Sequence, residues 1–216
     1  MAVSAILFSK NFKGDGMKRV PVDQLLKDKQ LWNEFSVSLQ NGGVAVIPTD
    51  TLYGFAVAAD CEKAVTRVYE IKNRSSRKPL ILFVDRVEEL ENLGFTLKDG
   101  LLAQLKKYWP GALTAILPAP GHPQLRAFNF STMGVRIPNH QMLLEIIRRL
   151  PVRLLTTSAN RSGDPSDVNP DVIASEFAGE IDWLIDGGIL PEGMASTVAD
   201  FTQSPPVILR QGKIKL

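Results

Sequence analysis

The sequence has very few of the residues that form covalent cross-links or protein-bound metal sites. It contains one cysteine, Cys61, and two histidines, His122 and His140, among 216 residues. A single cysteine cannot form an internal disulfide, which fits a reducing compartment, and we expect a cytoplasmic protein. The cysteine and histidine spacing of a zinc site is absent. We therefore expect no metal held by the protein's own side chains, although Mg²⁺ can still arrive with a nucleotide.

Long apolar runs, excess charge and aromatic residues are also scarce. No stretch of about twenty apolar residues occurs, so the sequence predicts no transmembrane helix. The net charge is only +2, which does not by itself indicate nucleic-acid binding. Neither the Gly-x-x-x-x-Gly-Lys-Ser/Thr loop nor the Gly-x-Gly-x-x-Gly loop is present. These absences exclude the P-loop and dinucleotide-binding classes.

Short apolar runs that alternate with amphipathic stretches are what the sequence does contain. This alternation predicts a single α/β domain. Strands are predicted at 44–47, 55–59, 80–84, 112–117, 134–137, 152–155, 183–185, 197–199 and 207–209. Helices are predicted at 62–72 with Asp60 as N-cap, and at 86–93, 98–109, 141–150 and 171–178. Polar clusters follow several of these strands, and ligands of open α/β sheets bind at strand ends.

Six polar clusters carry the candidate chemistry, and each also has a purely structural interpretation. Lys72, Arg74 and Lys78 follow a helix, where cations either favour the helix dipole or clamp a phosphate. Arg136 stands among apolar neighbours and needs an anionic partner, either an internal carboxylate or a ligand. A run of Ser, Asn and Gly is either a capped loop or an anion cradle. The clusters lie at 48–54, 72–79, 109–114, 134–138, 156–163 and 196–197, with Arg210 after the last.

Taken in order, the clusters resemble the YrdC/TsaC family of threonylcarbamoyl-AMP synthases over roughly residues 31–212. The resemblance implies one YrdC-like domain at 31–212, an N-terminal extension at 1–30 and no additional C-terminal domain. It implies a twisted, open, mixed sheet with helices on both sides and a concave, positively lined groove. The matching motifs are Pro48-Thr49-Asp50-Thr51-Leu52-Tyr53-Gly54, Lys72-x-Arg74 with Lys78-Pro79-Leu80, Pro110-Gly111 with Thr114, Val135-Arg136-Ile137-Pro138, Thr157-Ser158-Ala159-Asn160 with Ser162-Gly163, and Ser196-Thr197-Val198.

The resemblance also implies a reaction and a role for each matched residue. The family joins L-threonine, bicarbonate and ATP, carried with Mg²⁺, into threonylcarbamoyl-AMP and pyrophosphate. Partner proteins then transfer the threonylcarbamoyl group to tRNA. Lys72, Arg74, Ser158 and Asn160 would form the catalytic signature, with Lys72 near the reacting groups. The residues implied to bind ATP are Arg74, Lys78, Arg136, Asn160 and Arg210. The residues implied to hold threonine are Thr51, Ser158 and Ser196.

Phe83 is the main departure from the family pattern. It stands where many members place a histidine that faces the threonine, so the resemblance leaves the amine substrate open. One alternative is therefore a paralogue that uses a different carbamoyl or amine substrate. The other is a non-catalytic module that binds double-stranded RNA or tRNA through phosphate contacts. The low aromatic content, 7%, speaks against the second.

Overall fold

The computed structural model describes residues 16–75, 79–125, 130–191 and 193–216. Within these ranges, ten strands, seven α-helices and one 3₁₀ turn at Pro123–Leu125 follow one another along the chain. The strands are β1 (Lys18–Pro21), β2 (Ala45–Ile47), β3 (Gly54–Ala58), β4 (Ile81–Phe83), β5 (Leu113–Pro118), β6 (Thr132–Arg136), β7 (Leu154–Ser158), β8 (Trp183–Asp186), β9 (Thr197–Asp200) and β10 (Val207–Arg210). The helices are α1 (Val22–Lys27), α2 (Lys29–Gln40), α3 (Glu62–Ile71), α4 (Glu88–Asn92), α5 (Leu101–Leu105), α6 (Gln141–Arg149) and α7 (Pro170–Glu176).

The ten strands form one mixed sheet in the order β1-β8-β2-β3-β7-β4-β6-β5-β9-β10. Strand pairs β1–β8, β2–β8, β4–β6 and β5–β9 are parallel. The other five pairs are antiparallel. The strands β1 and β10 lie at opposite edges, so the sheet is open. The prediction of an open mixed sheet is confirmed.

Helices cover both faces of the sheet. On one face, α1, α2 and α6 contribute Leu25, Phe35 and Ile146 to a buried core. On the other face, α3, α4, α5 and α7 contribute to a second core through residues such as Val65 and Leu90. The predicted helices on both sides are therefore confirmed. None of the helices in the described ranges is long and apolar enough to cross a membrane.

Part of the first face extends beyond the three helices that cover it. Ala56 of β3 packs in the core beneath α1, α2 and α6. In the strand register, Ala56 is opposite Thr156, which is opposite Ile81, and the row continues through Gly134 to Ile116. Residues in one such row share a face, because successive side chains of a strand alternate between faces. This face of the sheet is therefore covered by helices at β3 and continues, beyond them, across β7, β4, β6 and β5.

The predicted helices are somewhat shorter in the structure, and at one end of α4 and of α5 a glycine in the left-handed region explains the difference. Gly100 has φ +76° and is the N-cap of α5, so the helix predicted from 98 begins only at Leu101. Gly94 has φ +79° and lies just beyond α4, which ends at Asn92 instead of 93. Such backbone angles favour glycine and interrupt a right-handed helix.

The ends of α3 and β7 also differ from the prediction. Asp60 was predicted as the N-cap of the helix at 62–72, but Cys61 occupies that position and makes no capping bond through its side chain. Strand β7 was predicted at 152–155, yet it runs from Leu154 to Ser158. Thr156 is paired with both β3 and β4, and Thr157 and Ser158 are paired with β3, which extends the strand through all three residues. The polar cluster therefore belongs largely to the sheet and not to a loop that follows it.

Candidate active site

A cavity of about 800 Å³ lies against the uncovered part of the sheet face, and we call it the sheet-face cavity. Its volume falls within the usual range of small-molecule sites, roughly 300–1,000 Å³. Seven of the nine residues predicted to form the site line it, and they come from three strands and four connecting segments. These seven are Thr51, Arg74, Arg136, Ser158, Asn160, Ser196 and Arg210.

Two predicted site residues stand apart from that set. Lys78 lies outside the described residues, so its predicted contact with ATP stays a prediction. Lys72 is 2% exposed and is absent from the described residues that line the cavity. The cavity lies across a face of the sheet, and three of the predicted residues that line it, Arg136, Ser158 and Arg210, are the last residues of their strands. Alternate residues of β4 and β6 supply its floor, because every second side chain of a strand points to the same face, and the last three residues of β7 also line it.

Arg136 is buried beside the predicted threonine site and has an internal partner. It is 3% exposed, and its Nη2 donates to Asp50 Oδ1 at 2.6 Å. Its Nη1 donates to Thr51 Oγ1 at 3.0 Å, and its Nε donates to the carbonyl of Gly111 at 2.9 Å. Of the two partners that the sequence left open, the carboxylate is present. Burial lowers the pKa of Arg136, while Asp50 acts in the opposite direction. The arginine therefore holds Thr51 in place as well as lining the cavity.

Ser196 belongs to a second hydroxyl cluster on the far side of the cavity. Its Oγ lies 2.9 Å from Thr114 Oγ1. Arg210 donates from Nη2 to Ser196 Oγ at 3.1 Å and to the Ser196 carbonyl at 2.9 Å. Strand pairing explains this meeting, since Arg210 of β10 is opposite Val198 of β9 and Thr114 of β5 is opposite the same residue. The guanidinium fixes the serine from the edge of the sheet.

The chain approaches the segment that carries Ser196 so closely that only glycine fits at position 212. A Cβ on Gly212 would lie 2.2 Å from the Ala195 carbonyl oxygen and 2.5 Å from the Thr197 nitrogen. Both are backbone atoms, so the serine segment itself would have to move. We expect Gly212→Ala to cost about 1–3 kcal/mol, as overpacking usually does. At about 2–4 °C per kcal/mol for a chain of this size, Tm should fall by several degrees in a melting experiment.

Gly121→Ala is the matched control for this variant. A Cβ at Gly121 meets no atom within 4 Å, and the residue does not have a left-handed φ. We expect its Tm to be unchanged or slightly higher, since alanine reduces the freedom of the unfolded chain. Equal melting of the two variants would contradict the close approach at Gly212.

The predicted catalytic signature of Lys72, Arg74, Ser158 and Asn160, which we call the tetrad, has three of its four members in contact at the end of β7. Lys72 donates from Nζ to the carbonyls of Ser158 and Asn160 and to Asn160 Oδ1, the latter two at 2.7 and 3.1 Å. Ser158 donates from Oγ to Asn160 Oδ1 at 2.6 Å. Burial, reinforced by the charge of Arg74, lowers the pKa of Lys72 to about 7, and Glu176 opposes this shift. The first, third and fourth members of the tetrad thus form one hydrogen-bonded unit.

Arg74, the remaining member of the tetrad, reaches the cavity separately. Its Nη1 donates to Thr157 Oγ1 at 2.8 Å, and its Nη2 donates to the Pro79 carbonyl at 3.3 Å. Its Nε is buried and, among the described residues, has no hydrogen-bond partner. Burial lowers its pKa. A cation with neutral partners and a spare donor is suited to an anionic ligand.

Sequence reasoning missed several residues of the site. Asp164 and Ser166 line the cavity from the loop that follows β7, and Thr49 lines it from below Thr51. Thr49 Oγ1 accepts from the backbone N–H groups of Thr51 and Leu52, so it shapes the turn that presents Thr51. The Thr-x-Thr spacing in the sequence could have indicated that Thr49 stabilises this turn. The two loop residues had no signal beyond polarity.

Metal-binding groups are not concentrated here. In the part of the chain that the structure describes, no three side chains of His, Cys, Asp or Glu gather as a metal site requires. Asp50 is engaged by Arg136, which leaves Asp164 as the carboxylate among the described residues that line the cavity.

The chain matches the Sua5/YciO/YrdC family model, whose description is telomere recombination, over residues 37–212. It therefore belongs to the Sua5/YciO/YrdC family, and the resemblance read from the motifs is confirmed. It is 36% identical over 179 residues to a threonylcarbamoyl-AMP synthase of Pyrococcus abyssi, covering 82% of this chain and 53% of that protein. It is also 36% identical over 177 residues to a putative threonylcarbamoyl-AMP synthase of Methanocaldococcus jannaschii, covering 82% of this chain and 83% of the other.

The fold agrees with a solved structure from the same family. Sua5 of P. abyssi in complex with L-threonine superposes with a TM-score of 0.79 at 32% identity. The match covers 91% of this chain and 57% of that one. The chain spans about half the length of the first curated relatives that it matches, 53% and 51%. Similarity in the shared half thus defines the family and the fold.

Proposed function

We propose that the protein is an L-threonylcarbamoyladenylate synthase that acts in the threonylcarbamoyladenosine modification of tRNA. One observation carries the proposal: seven residues chosen from the sequence for threonine and ATP line a single cavity. Family membership supports it, since curated relatives of 36% identity have this activity in their names. We assign the activity to residues 31–212, in the cytoplasm, with 1–30 as an extension and with transfer proteins as downstream partners.

Threonine would bind where hydroxyl groups and arginines meet. Thr51, Ser158 and Ser196 each present a hydroxyl to the cavity and are held by a neighbouring cation or amide. Arg136 and Arg210 offer charge to a carboxylate beside two of these hydroxyls. An amino acid needs such a set, with hydrogen-bond partners for its hydroxyl and a cation for its carboxylate.

ATP would bind where Arg74 and Asn160 line the cavity. Lys78, four residues after Arg74 in the chain, is the third residue that we assign to ATP here. The Nε of Arg74 has no hydrogen-bond partner among the described residues, so a shift of the side chain would let it donate to a phosphate oxygen. Asn160 directs its Nδ2 to the carbonyls of Arg161 and Asp164, at 2.9 and 2.6 Å, which draws the loop after β7 into the wall of the site. Arg136 and Arg210 add two further positive charges to the part of the cavity wall that would surround the nucleotide.

The chemistry requires position and charge stabilisation more than a protein nucleophile. The threonine amine and bicarbonate form a carbamate with loss of water. A carbamate oxygen then attacks the α-phosphorus of ATP, the bond to the β-phosphate oxygen breaks, and pyrophosphate leaves. Cations aimed at the developing phosphate charge supply the rate enhancement, and binding both substrates in one cavity supplies proximity.

Mg²⁺ would enter with ATP as part of the substrate. Magnesium commonly keeps several waters and uses one or two carboxylates together with substrate phosphates. Asp164 is a carboxylate of the described cavity lining, and it fits that requirement. The ion would neutralise phosphate charge, while the arginines bind and orient the triphosphate.

Pyrophosphate release tests the proposed function directly. The protein is incubated with ATP, Mg²⁺ and bicarbonate, with and without L-threonine, and pyrophosphate is measured. We expect release that depends on both bicarbonate and threonine. Release that is independent of threonine would contradict the synthase. Salt-sensitive RNA binding without nucleotide turnover would favour the binding module instead.

Phe83 favours a second candidate, a paralogue with another amine substrate. The residue lines the cavity, and its ring centroid lies 5.9 Å from the guanidinium carbon of Arg136. It therefore stands beside the proposed amino-acid site with an apolar surface. Repeating the assay with L-serine, L-valine and glycine separates the candidates. Faster turnover with any of these than with threonine would support the paralogue.

A further inference from the structure

The amine of Lys72 uses all of its hydrogen-bond donors within the protein. A lysine ammonium has three N–H donors and no acceptor. The three acceptors are the carbonyl oxygens of Ser158 and Asn160 and the side-chain oxygen Asn160 Oδ1. Each donor thus has a protein partner, and none remains for a substrate oxygen.

Lys72 lies behind the sheet-face cavity. It is 2% exposed, and its Nζ lies 5.4 Å from the ring centroid of Phe55, which belongs to the core on the other face of the sheet. The described residues that line the cavity include its acceptors Ser158 and Asn160 but not Lys72 itself. Arg74, in contrast, lines the cavity and keeps an unpartnered Nε among the described residues.

The contacts of Lys72 fix the segment that presents the two polar side chains. Asn160 Oδ1 accepts from both Lys72 and Ser158, which fixes the plane of the amide. The carbonyl of Lys72 accepts from the backbone N–H of Ser162 at 2.7 Å. Arg161 donates to the carbonyl of Ile71, at the end of α3, and pairs with Glu180. The end of α3 therefore holds residues 158–162 through both side chain and backbone.

We propose that Lys72 is a positioning residue that orients Ser158 and Asn160 and does not itself touch substrate. The proposal concerns the folded protein without ligand, and only its consequence for turnover rests on the proposed function. It gives the two basic members of the tetrad different roles: Lys72 orients polar side chains that line the cavity, and Arg74 contacts the ligand.

Hydrogen exchange of the ligand-free protein tests the positioning role independently of any activity. We expect Lys72→Met to speed amide exchange in peptides covering 158–164 by about tenfold to a hundredfold, as the loss of bonds to a charged group predicts. Lys63→Met is the matched control, because Lys63 is an exposed lysine of the same helix. Unchanged exchange at 158–164 in Lys72→Met would overturn the proposal.

The wild-type protein offers a second measurement that needs no variant. Because burial lowers the pKa of Lys72 to about 7, its proton is lost as the pH rises through that value. A neutral amine has two N–H donors for three acceptors, so protection of 158–164 should fall above about pH 7 after correction for intrinsic exchange. The charged groups around the amine are Arg74 and Glu176, with Arg161 from the loop. Protection that is independent of pH between about 6 and 9 would count against the proposal.

A double-mutant cycle separates positioning from substrate contact once turnover is measured. If Lys72 acts through Asn160, adding Lys72→Met to Asn160→Ala should reduce kcat/KM little beyond the single variants. If Lys72 contacts substrate directly, the two losses should multiply, and this result would overturn the proposal. Should wild type show no threonine-dependent turnover, the proposed function fails, while the exchange results still decide the role of Lys72.

Discussion

Replacing Arg136 with methionine is expected to lower the free energy of unfolding by about 3–5 kcal/mol, as breaking a buried ion pair does. Asp50 would keep its charge in a site that is largely closed to water, where its side chain is 12% exposed. The carbonyl of Gly111 and the hydroxyl of Thr51 would also lose a donor. At about 2–4 °C per kcal/mol, Tm should fall by about 10 °C.

Two further variants show whether the unpaired carboxylate causes that loss. Adding Asp50→Asn to Arg136→Met should recover part of the lost stability, because it removes the unpaired charge. Lys27→Met breaks the exposed pair with Asp23, whose side chains are 78% and 60% exposed, and should change stability by no more than about 1 kcal/mol. An Arg136 variant as stable as the Lys27 variant would show that the buried pair is not important for the fold.

Much of the sheet could be read from the sequence, because its strands are short apolar runs between turn residues. Apart from β1, each strand was predicted within a few residues of its place. What sequence could not supply was the order of strands. In that order, β7 lies between β3 and β4, and its pairing with β3 continues the strand through Thr156 to Ser158. Pairing is a long-range property, so the local polarity of the segment favoured a loop.

The region from β1 to α2 was not predicted, although α2 contains a clear signal. Asp28 accepts from the backbone N–H groups of Gln30 and Leu31, as an N-cap does. Leu31, Phe35 and Leu39 follow at spacings of four, which places them on one helix face. The pattern was readable in the sequence. Strand β1 had no such signal, since only Val20 of its four residues is buried.

The sequence predicted which residues line the candidate site better than it predicted the contacts of each residue. Order along the chain selected seven residues that meet in one cavity, from segments far apart in sequence. It could not reveal that Arg136 pairs with Asp50, or that Lys72 donates its hydrogen bonds to Ser158 and Asn160. Both facts depend on which atoms face each other across strands. A motif names residues that act together and does not say which of them touches the ligand.

Replacing Arg74 with alanine is expected to give the largest loss of activity with the smallest loss of stability. Removing a group aimed at developing charge typically costs about 10²–10³ in rate. The folded protein should tolerate the change, because the partners of Arg74 among the described residues are a hydroxyl and a carbonyl, and none of them is a carboxylate that would be left unpaired. We expect Tm to move by only a few degrees, while threonine-dependent pyrophosphate release falls by the stated factor.

Arg74→Lys identifies what the guanidinium contributes. Lysine keeps the positive charge but lacks the planar set of donors that can bind a phosphate at two oxygens. We therefore expect turnover between that of wild type and that of Arg74→Ala, with weaker nucleotide binding measured by calorimetry. A large fall of Tm in Arg74→Ala would assign the residue to the fold, and full activity in that variant would remove it from the site. The contrast with Arg136 is the sharper test, because Arg136 is held by a carboxylate, whereas the hydrogen-bond partners of Arg74 among the described residues are neutral.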